Sequence, residues 1–159
     1  DVPRIPKESV NPRFKNFHWG DFTQSLFAAY EKGGDTTALP DADGNITEGP
    51  GFNVFMVRGD DVYTGPDNVL EGITRRTVME LCAEMDLNAR EQYFTAADMH
   101  DADEVFISST AGGVMPITQV DGTILGNGAP GPVTTRLINT YWQKKAAGWH
   151  ATPVDYGDG

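Results

Sequence analysis

The spacing of hydrophobic and polar positions changes several times along the chain, between a helical and an extended period. Apolar residues one helical turn apart predict a helix over residues 21–32, with Asp21 as its cap and two glycines directly after it as its stop. A second helix is predicted from position 73, with one face formed by Ile73, Thr77, Leu81 and Met85. A third begins near Pro132, since proline is tolerated in a first helical turn. Its predicted inward positions are Val133, Leu137, Ile138, Tyr141 and Trp142.

Short stretches of β-prone residues separate these helices. Residues 52–57 and 62–64 flank the turn sequence RGDD, and this arrangement predicts a hairpin. Further strands are predicted at 90–94, 104–108 and 114–120, with a short helical turn near Ala97. Helices and strands therefore intermix, which predicts a mixed α/β (α+β) fold.

Composition and charge limit the classes of protein that remain. A chain of 159 residues with 39% hydrophobic content suits one domain with a core, while residues 1–14, rich in proline, suggest an extended linker or arm. The net charge of −11 opposes binding to nucleic acid or to an anionic membrane. No apolar run approaches the roughly 18–20 residues that span a bilayer, and no signal-peptide core precedes the domain. We therefore expect a soluble, cytoplasmic protein, with the single cysteine, Cys82, as core filling.

Two charged residues have surroundings that suit covalent cofactor chemistry. Lys15 lies among the aromatic residues of RFKNFHWGD, which can desolvate its ammonium and favour the neutral amine that attacks an aldehyde. Glu48 lies in TEGPGFN, whose glycines permit a ligand to approach the backbone. An amine and a carboxylate of this kind are what pyridoxal phosphate requires, one for its aldehyde and one for its ring nitrogen. The alternatives are a lysine in a surface loop and an acidic residue on an acidic surface.

Two further segments suit a phosphate group. Free backbone amides at the start of the helix near Gly72, Ile73 and Thr74, together with a threonine hydroxyl, attract an anion. The hydroxyls of SST at 108–110 stand before alanine and two glycines and can serve the same phosphate. The alternatives are an ordinary capped helix with solvated arginines and a simple turn at the end of a strand.

Metal and nucleotide motifs are rejected. GNGAPG at 126–131 satisfies GxGxxG, but too few residues follow it for a complete βαβ unit. DADGNI at 41–46 has calcium-loop spacing, but it lacks the required glycine at position six and the glutamate at position twelve. The three histidines lack the close spacing of a zinc site, so we expect no metal.

Four motifs in order carry a family resemblance: KNFHWGD, LPDADGNITEGPGFNVF, NVLEGITRRTV and FISSTAGGVMPI. Together they resemble the large carboxyl-terminal domain of fold type IV pyridoxal phosphate enzymes, the branched-chain aminotransferase superfamily. The match runs from Lys15 to near the end, which implies a cofactor-binding domain over 15–159 with a β-barrel-like sheet flanked by helices. Within the superfamily, the chain most resembles (R)-selective amine transaminases, with branched-chain or D-amino-acid aminotransferases as the alternative.

The resemblance implies a role for each matching residue. Lys15 corresponds to the lysine that forms the Schiff base, and Glu48 to the partner of the pyridine nitrogen. Positions that contact the phosphate correspond to Ile73, Thr74 and Thr110, and Ser109 corresponds to a position beside the substrate. The pocket walls correspond to Trp19, Gly51 and Phe52. The implied reaction moves an amino group from a primary amine to a keto acid such as pyruvate.

One departure from the family concerns the amino-terminal domain, which in relatives contributes an arginine to the cofactor phosphate and one wall of the pocket. That domain is not found in this sequence, which begins with Asp1. We therefore expect a cleavage product or one piece of a split chain, paired with the missing half and, by resemblance, part of a homodimer. The non-enzyme alternative is a non-catalytic fragment that binds a phosphorylated ligand or a partner chain.

Overall fold

A computed structural model of the protein describes residues 2–155 and 157. Over these residues it contains four α-helices and eight β-strands. The helices are α1 (Gly20–Glu31), α2 (Ile73–Glu84), α3 (Ala96–His100) and α4 (Pro132–Ala146). The strands are β1 (Glu48–Gly49), β2 (Phe52–Arg58), β3 (Asp61–Thr64), β4 (Asn88–Glu91), β5 (Glu104–Ser109), β6 (Gly113–Ile117), β7 (Gln119–Val120) and β8 (Thr123–Ile124).

Six strands form one open sheet in the order β4-β3-β2-β5-β6, with β1 paired to β2. All pairs are antiparallel except β3 with β4, and β7 and β8 form a separate hairpin. The predicted mixed α/β class is confirmed. The barrel-like sheet that the resemblance implied is wrong in one respect, because β4 and β6 do not pair and the sheet does not close. Both edge strands have features that disfavour further pairing. β4 is a short, largely exposed polar strand, and β6 contains Pro116, which lacks an N–H donor.

Both faces of the sheet are buried, because β2 alternates its side chains between two apolar clusters. Phe55 and Val57 face α2 and α4, and the ring of Phe55 stacks on Phe106 of β5 with centroids 4.8 Å apart. Val54 and Met56 face the opposite cluster, which connecting segments and α3 cover. Cys82 lies in the first cluster, where burial raises the pKa of its thiol to about 11.

The helices form where the hydrophobic pattern predicts them, with corrections at three residues. Asp21 does not cap α1: Trp19 occupies the N-cap position, and Asp21 lies buried in the first turn. Ile73 is 76% exposed, because it opens α2 ahead of the turns that pack on the sheet. Trp142 is 41% exposed rather than inward, while Leu137 and Tyr141 of the same helix are buried. Among the described helices, none has the length and apolar character needed to cross a membrane.

Two strands differ from prediction at their ends. β4 covers residues 88–91 rather than 90–94, because its register is set by parallel pairing with β3, and Phe94 instead accepts a backbone hydrogen bond from Ile46. The predicted strand over residues 114–120 is divided at Thr118, because the residues beyond it pair in the β7–β8 hairpin. Both differences arise from strand pairing, which the local periodicity of the sequence does not predict.

The packing of α4 gives a stability prediction. Leu137 of α4 is fully buried in the cluster that packs against the sheet. We expect Leu137→Ala to lower the free energy of unfolding by about 2–5 kcal/mol, because it removes buried methyl groups and leaves a cavity. Urea denaturation of wild type and variant measures the difference. As a control, Ile124→Ala, at a side chain 62% exposed, should change the free energy of unfolding by no more than about 0.5 kcal/mol. Equal effects of the two changes would contradict this account of the core.

Candidate active site

A buried carboxylate lies at the start of the sheet, on β1. Glu48 is 6% exposed, and each of its oxygens accepts a hydrogen bond. Oε2 accepts from the backbone N–H of Leu70 at 2.9 Å, and Oε1 accepts from Nη2 of Arg4 at 3.1 Å. Burial raises the pKa of Glu48, and the Leu70 N–H and Arg4 act in the opposite direction. The acid is therefore desolvated but held by two donors.

A row of polar side chains crosses the sheet beside Glu48. Glu48 of β1 is in register with Asn53 of β2, which is in register with Ser108 of β5. Side chains in register on neighbouring strands point to the same face. Asn53 Nδ2 donates to the carbonyl oxygen of Leu70 at 2.8 Å, so Leu70 is bonded to two members of this row through its two backbone groups. The sequence analysis did not identify Asn53; its signal is a polar side chain inside the otherwise apolar run of residues 52–57.

The amino terminus of α2 follows directly after this anchored segment. Gly72, its N-cap, donates its N–H to the Leu70 carbonyl at 2.8 Å, and no side chain caps the helix. The amides of the first turn thus stay available to an anion. A Cβ at position 72 would lie 2.5 Å from Oδ1 of Asn53, so a larger residue there would require the buried Asn53 side chain to shift. Thr74 is buried in this turn, whereas Ile73 presents its side chain outward.

The hydroxyl residues at the end of β5 lie in a tight turn. Ser109 is in register with Gly113 of β6, and its Oγ accepts the N–H of Gly112 at 2.9 Å. Thr110 is exposed at the tip of this turn, and Ser109 is half-buried. Ser108 is buried, and its Oγ has no hydrogen-bond partner within residues 2–155 and 157. Ser108 therefore adds an unpaired hydroxyl to the polar row.

Lys15 lies in the segment that leads into α1, and its side chain is exposed. The expected aromatic enclosure is not found: Phe14 is 71% and Phe17 103% exposed. Over the described residues, the Lys15 ammonium makes no hydrogen bond or ion pair with another residue. The aromatic neighbours thus leave the amine in contact with water in this structure.

Segments that follow Lys15 and Glu48 in the sequence meet at the start of α1. A small cavity of about 80 Å³ is bordered both by Trp19, four residues after Lys15, and by Pro50, two residues after Glu48. Gly51 completes the turn after Glu48 with φ +86°, a conformation that favours glycine, and Phe52, half-buried, begins β2. The structure thus places the segment after Lys15 beside the turn after Glu48.

Within the part of the chain that the structure describes, no group of three or more histidine, cysteine, aspartate or glutamate side chains is arranged to hold a metal ion. The polar groups that converge near β1 are instead one carboxylate, backbone amides and hydroxyls. The carboxylate is chemically suited to a cationic group, and the amides and hydroxyls are suited to an anion.

Comparison with known proteins identifies relatives of this chain. The sequence model of the family "Amino-transferase class IV" matches residues 1–120. The chain is 46% identical over 97 residues to a D-alanine aminotransferase of Bacillus licheniformis, covering 60% of this chain and 34% of that protein. It is 32% identical over 149 residues to a putative branched-chain-amino-acid aminotransferase of Methanocaldococcus jannaschii, covering 89% and 52%.

Solved structures of related enzymes share the fold. The branched-chain amino acid aminotransferase of Thermobaculum terrenum, in its PLP form (holo form), superposes with a TM-score of 0.84 at 30% identity, over 93% of this chain and 49% of that one. The Escherichia coli branched-chain amino acid aminotransferase gives a TM-score of 0.79 at 30% identity, over 99% and 52%.

These matches also bear on the expected subgroup. The chain spans about half the length, or less, of the relatives named above. Their names support the branched-chain or D-amino-acid alternative better than the (R)-selective amine transaminase interpretation. Fold, ordered motifs and family match agree on one conclusion: the chain belongs to the class IV aminotransferase family.

Proposed function

We propose that this chain is the cofactor-binding part of a pyridoxal phosphate-dependent aminotransferase that acts on branched-chain or D-amino acids. The observation that carries the proposal is the pair of Leu70 hydrogen bonds, which join buried Glu48 and Asn53 next to the uncapped start of α2. An acid for a ring nitrogen and free amides for a phosphate thus lie on either side of one short segment.

Three features of the chain fit pyridoxal phosphate. The carboxylate of Glu48 is buried, and each of its oxygens has one protein donor, so lone pairs remain for the ring N–H. The close approach of Gly72 to Asn53, where a Cβ would clash, keeps the first-turn amides of α2 next to the polar row. A further hydroxyl, Oγ of Ser108, is buried without a partner in the residues described.

The proposal assigns a role in the reaction to each site residue. Lys15 supplies the amine that holds the cofactor and then carries a proton to or from the α carbon of the substrate. Glu48 keeps the proton on the ring nitrogen, while Thr74, Thr110 and the α2 amides hold the phosphate, with Ile73 and Ser109 beside them. Pyridoxal phosphate, when bound, supplies the electron sink for the charge that develops at that carbon. Trp19, Gly51 and Phe52 line the substrate side.

The names of the relatives support the proposed substrate class. Two of them carry the names D-alanine aminotransferase and branched-chain-amino-acid aminotransferase, and one related structure is a branched-chain aminotransferase with norvaline. We propose an amino acid as donor and a 2-keto acid such as pyruvate as acceptor. We further propose that two such units form a dimer.

Cofactor binding and donor choice test this function together. We expect the complete protein to gain a visible absorption band on addition of pyridoxal phosphate, because the aldehyde becomes covalently bound. We further expect faster amino transfer from leucine or D-alanine than from (R)-1-phenylethylamine, measured as loss of one common 2-keto acid acceptor other than pyruvate, because D-alanine itself yields pyruvate. A protein that stays colourless would support the non-catalytic alternative. A preference for (R)-1-phenylethylamine would instead support the amine transaminase interpretation.

A further inference from the structure

We propose that Arg4 is a positioning residue for Glu48: its guanidinium keeps the Glu48 carboxylate ionised and fixes its direction toward the cofactor ring. This inference rests on the proposed function of Glu48. Arg4 comes from the segment before Lys15, outside the four motifs that carry the family resemblance.

The position of Arg4 is fixed on four sides. Its backbone N–H donates to the carbonyl oxygen of Pro40 at 2.7 Å, which attaches the segment to the domain. Nη1 donates to Oδ2 of Asp21 at 2.5 Å, and Nη2 donates to Oε1 of Glu48 at 3.1 Å. The guanidinium lies 4.1 Å from the ring centroid of Phe22. Arg4 is only 6% exposed, so it serves these partners rather than solvent.

The charges at this position explain why Glu48 needs the arginine. A buried carboxylate favours its protonated form, and a nearby cation restores the charged form. Arginine stays protonated at every working pH and donates in a planar fork that spans two carboxylates. Only an ionised Glu48 accepts the hydrogen bond of a protonated ring nitrogen, so Arg4 acts on the cofactor through Glu48. The charged groups that act on Glu48 are Arg4 and Asp21; β2 and the Leu70 segment present to it a neutral amide and a backbone N–H.

Asp21 anchors the arginine from α1. Its Oδ2 also accepts the backbone N–H of Ile5 at 3.0 Å, and its Oδ1 accepts the N–H of Phe22 at 2.8 Å. The Asp21–Arg4 pair therefore holds the segment and the helix together, whereas the Arg4–Glu48 pair reaches the site. This difference separates a structural effect from an effect on the cofactor.

The test compares Arg4→Met and Arg4→Lys with Asp21→Asn in the complete holoenzyme. Four measurements are made: the dissociation constant of pyridoxal phosphate from the apo protein, the pH dependence of the visible band of the bound cofactor, kcat with KM for the amino donor, and the thermal midpoint. Arg90→Met is the matched control, because Arg90 pairs with Asp61 on the exposed edge of the sheet. We expect wild-type values for this control.

In Arg4→Met we expect the dissociation constant of pyridoxal phosphate to rise at least about tenfold. The visible band of the bound cofactor changes with pH, and we call its low-pH transition the acid limb. In Arg4→Met the acid limb should move up by about one pH unit or more, because loss of the cation raises the pKa of Glu48 further. kcat should fall while KM changes by less than about twofold, since Arg4 does not touch the donor. Arg4→Lys keeps the charge but not the fork, so its acid limb should lie between those of wild type and Arg4→Met.

Asp21→Asn should lower the thermal midpoint, and it should move the acid limb down rather than up, because the charge of Asp21 raises the pKa of Glu48. An acid limb that is unchanged in Arg4→Met, or that moves up equally in Asp21→Asn, would overturn the positioning role. If Arg4→Met does not fold, an acid limb of Arg4→Lys at the wild-type position overturns the positioning role instead.

A double variant tests whether Arg4 acts through Glu48. In the Glu48→Gln background, Arg4→Met should weaken cofactor binding by less than about twofold. Fully additive effects of the two changes would contradict coupling between Arg4 and Glu48. Failure of wild type to bind pyridoxal phosphate would refute the proposed function itself, which distinguishes the two outcomes.

Discussion

Lys15→Ala is expected to lower kcat by at least about 10³-fold, because the variant lacks both the covalent attachment for the cofactor aldehyde and the base that moves the α proton. Borohydride reduction of the wild-type holoprotein should fix a pyridoxyl group on Lys15, and peptide mass spectrometry should locate it there. In Lys15→Ala no peptide should carry this group. The apo variant should keep the wild-type thermal midpoint, since the Lys15 side chain is exposed and contributes no hydrogen bond within the described residues.

Lys32→Ala is the matched control for this experiment. Lys32 is exposed at the carboxyl end of α1 and lies outside the proposed site. We expect full activity and normal trapping at Lys15 in this variant. A pyridoxyl group on another lysine of the wild-type protein would refute the assignment of Lys15, even if Lys15→Ala were inactive.

Glu48→Gln is expected to lower kcat by about 10²–10³-fold, the size of effect found when one preorganised electrostatic contact to a reacting group is removed. The amide has nearly the shape of the acid but no charge to hold a proton on the ring nitrogen. In Glu48→Gln, an uncharged amide group also replaces the carboxylate that accepts the hydrogen bond of Arg4 Nη2. Steady-state kinetics and the visible spectrum of the bound cofactor measure the loss.

The pH profile gives a second reading of the same variant. Burial raises the pKa of Glu48, so wild-type activity should fall on the acid side at a pH above the ordinary glutamate value of about 4.3. Glu48→Gln should lack this limb, because no group titrates there. Glu84→Gln, at an exposed residue near the end of α2, serves as the control and should retain wild-type kcat and the wild-type limb. Retention of the limb in Glu48→Gln would assign the titration to another group.

The predictable part of the fold consists of elements with a local hydrophobic signature. α2, α4, β2 and β5 form where periodicity places them, because each buries an apolar face or lies in the buried sheet. The ends of β4 and the division at Thr118 were not predictable, because they follow from pairing with distant strands. The open edges of the sheet likewise depend on which strands meet.

The candidate site divides in the same way. Glu48 and the start of α2 stand out in the sequence, because glycines and an uncapped helix start are local features. Arg4 and Asn53 do not, since each acts through partners far along the chain: Arg4 is 44 positions from Glu48, and Asn53 is 17 positions from Leu70. No local pattern distinguishes Arg4 from an arginine in a surface segment.

The order of residues by itself determined the types of the main elements, the acidic character of the protein and the four motifs of the family resemblance. The tertiary structure decided that Arg4 lies between Asp21 and Glu48, that Leu70 joins Glu48 to Asn53, and that Lys15 stays exposed. The physical reason is that periodicity and turn chemistry act over a few residues. Burial and ion pairing depend instead on which distant segments the folded chain brings together.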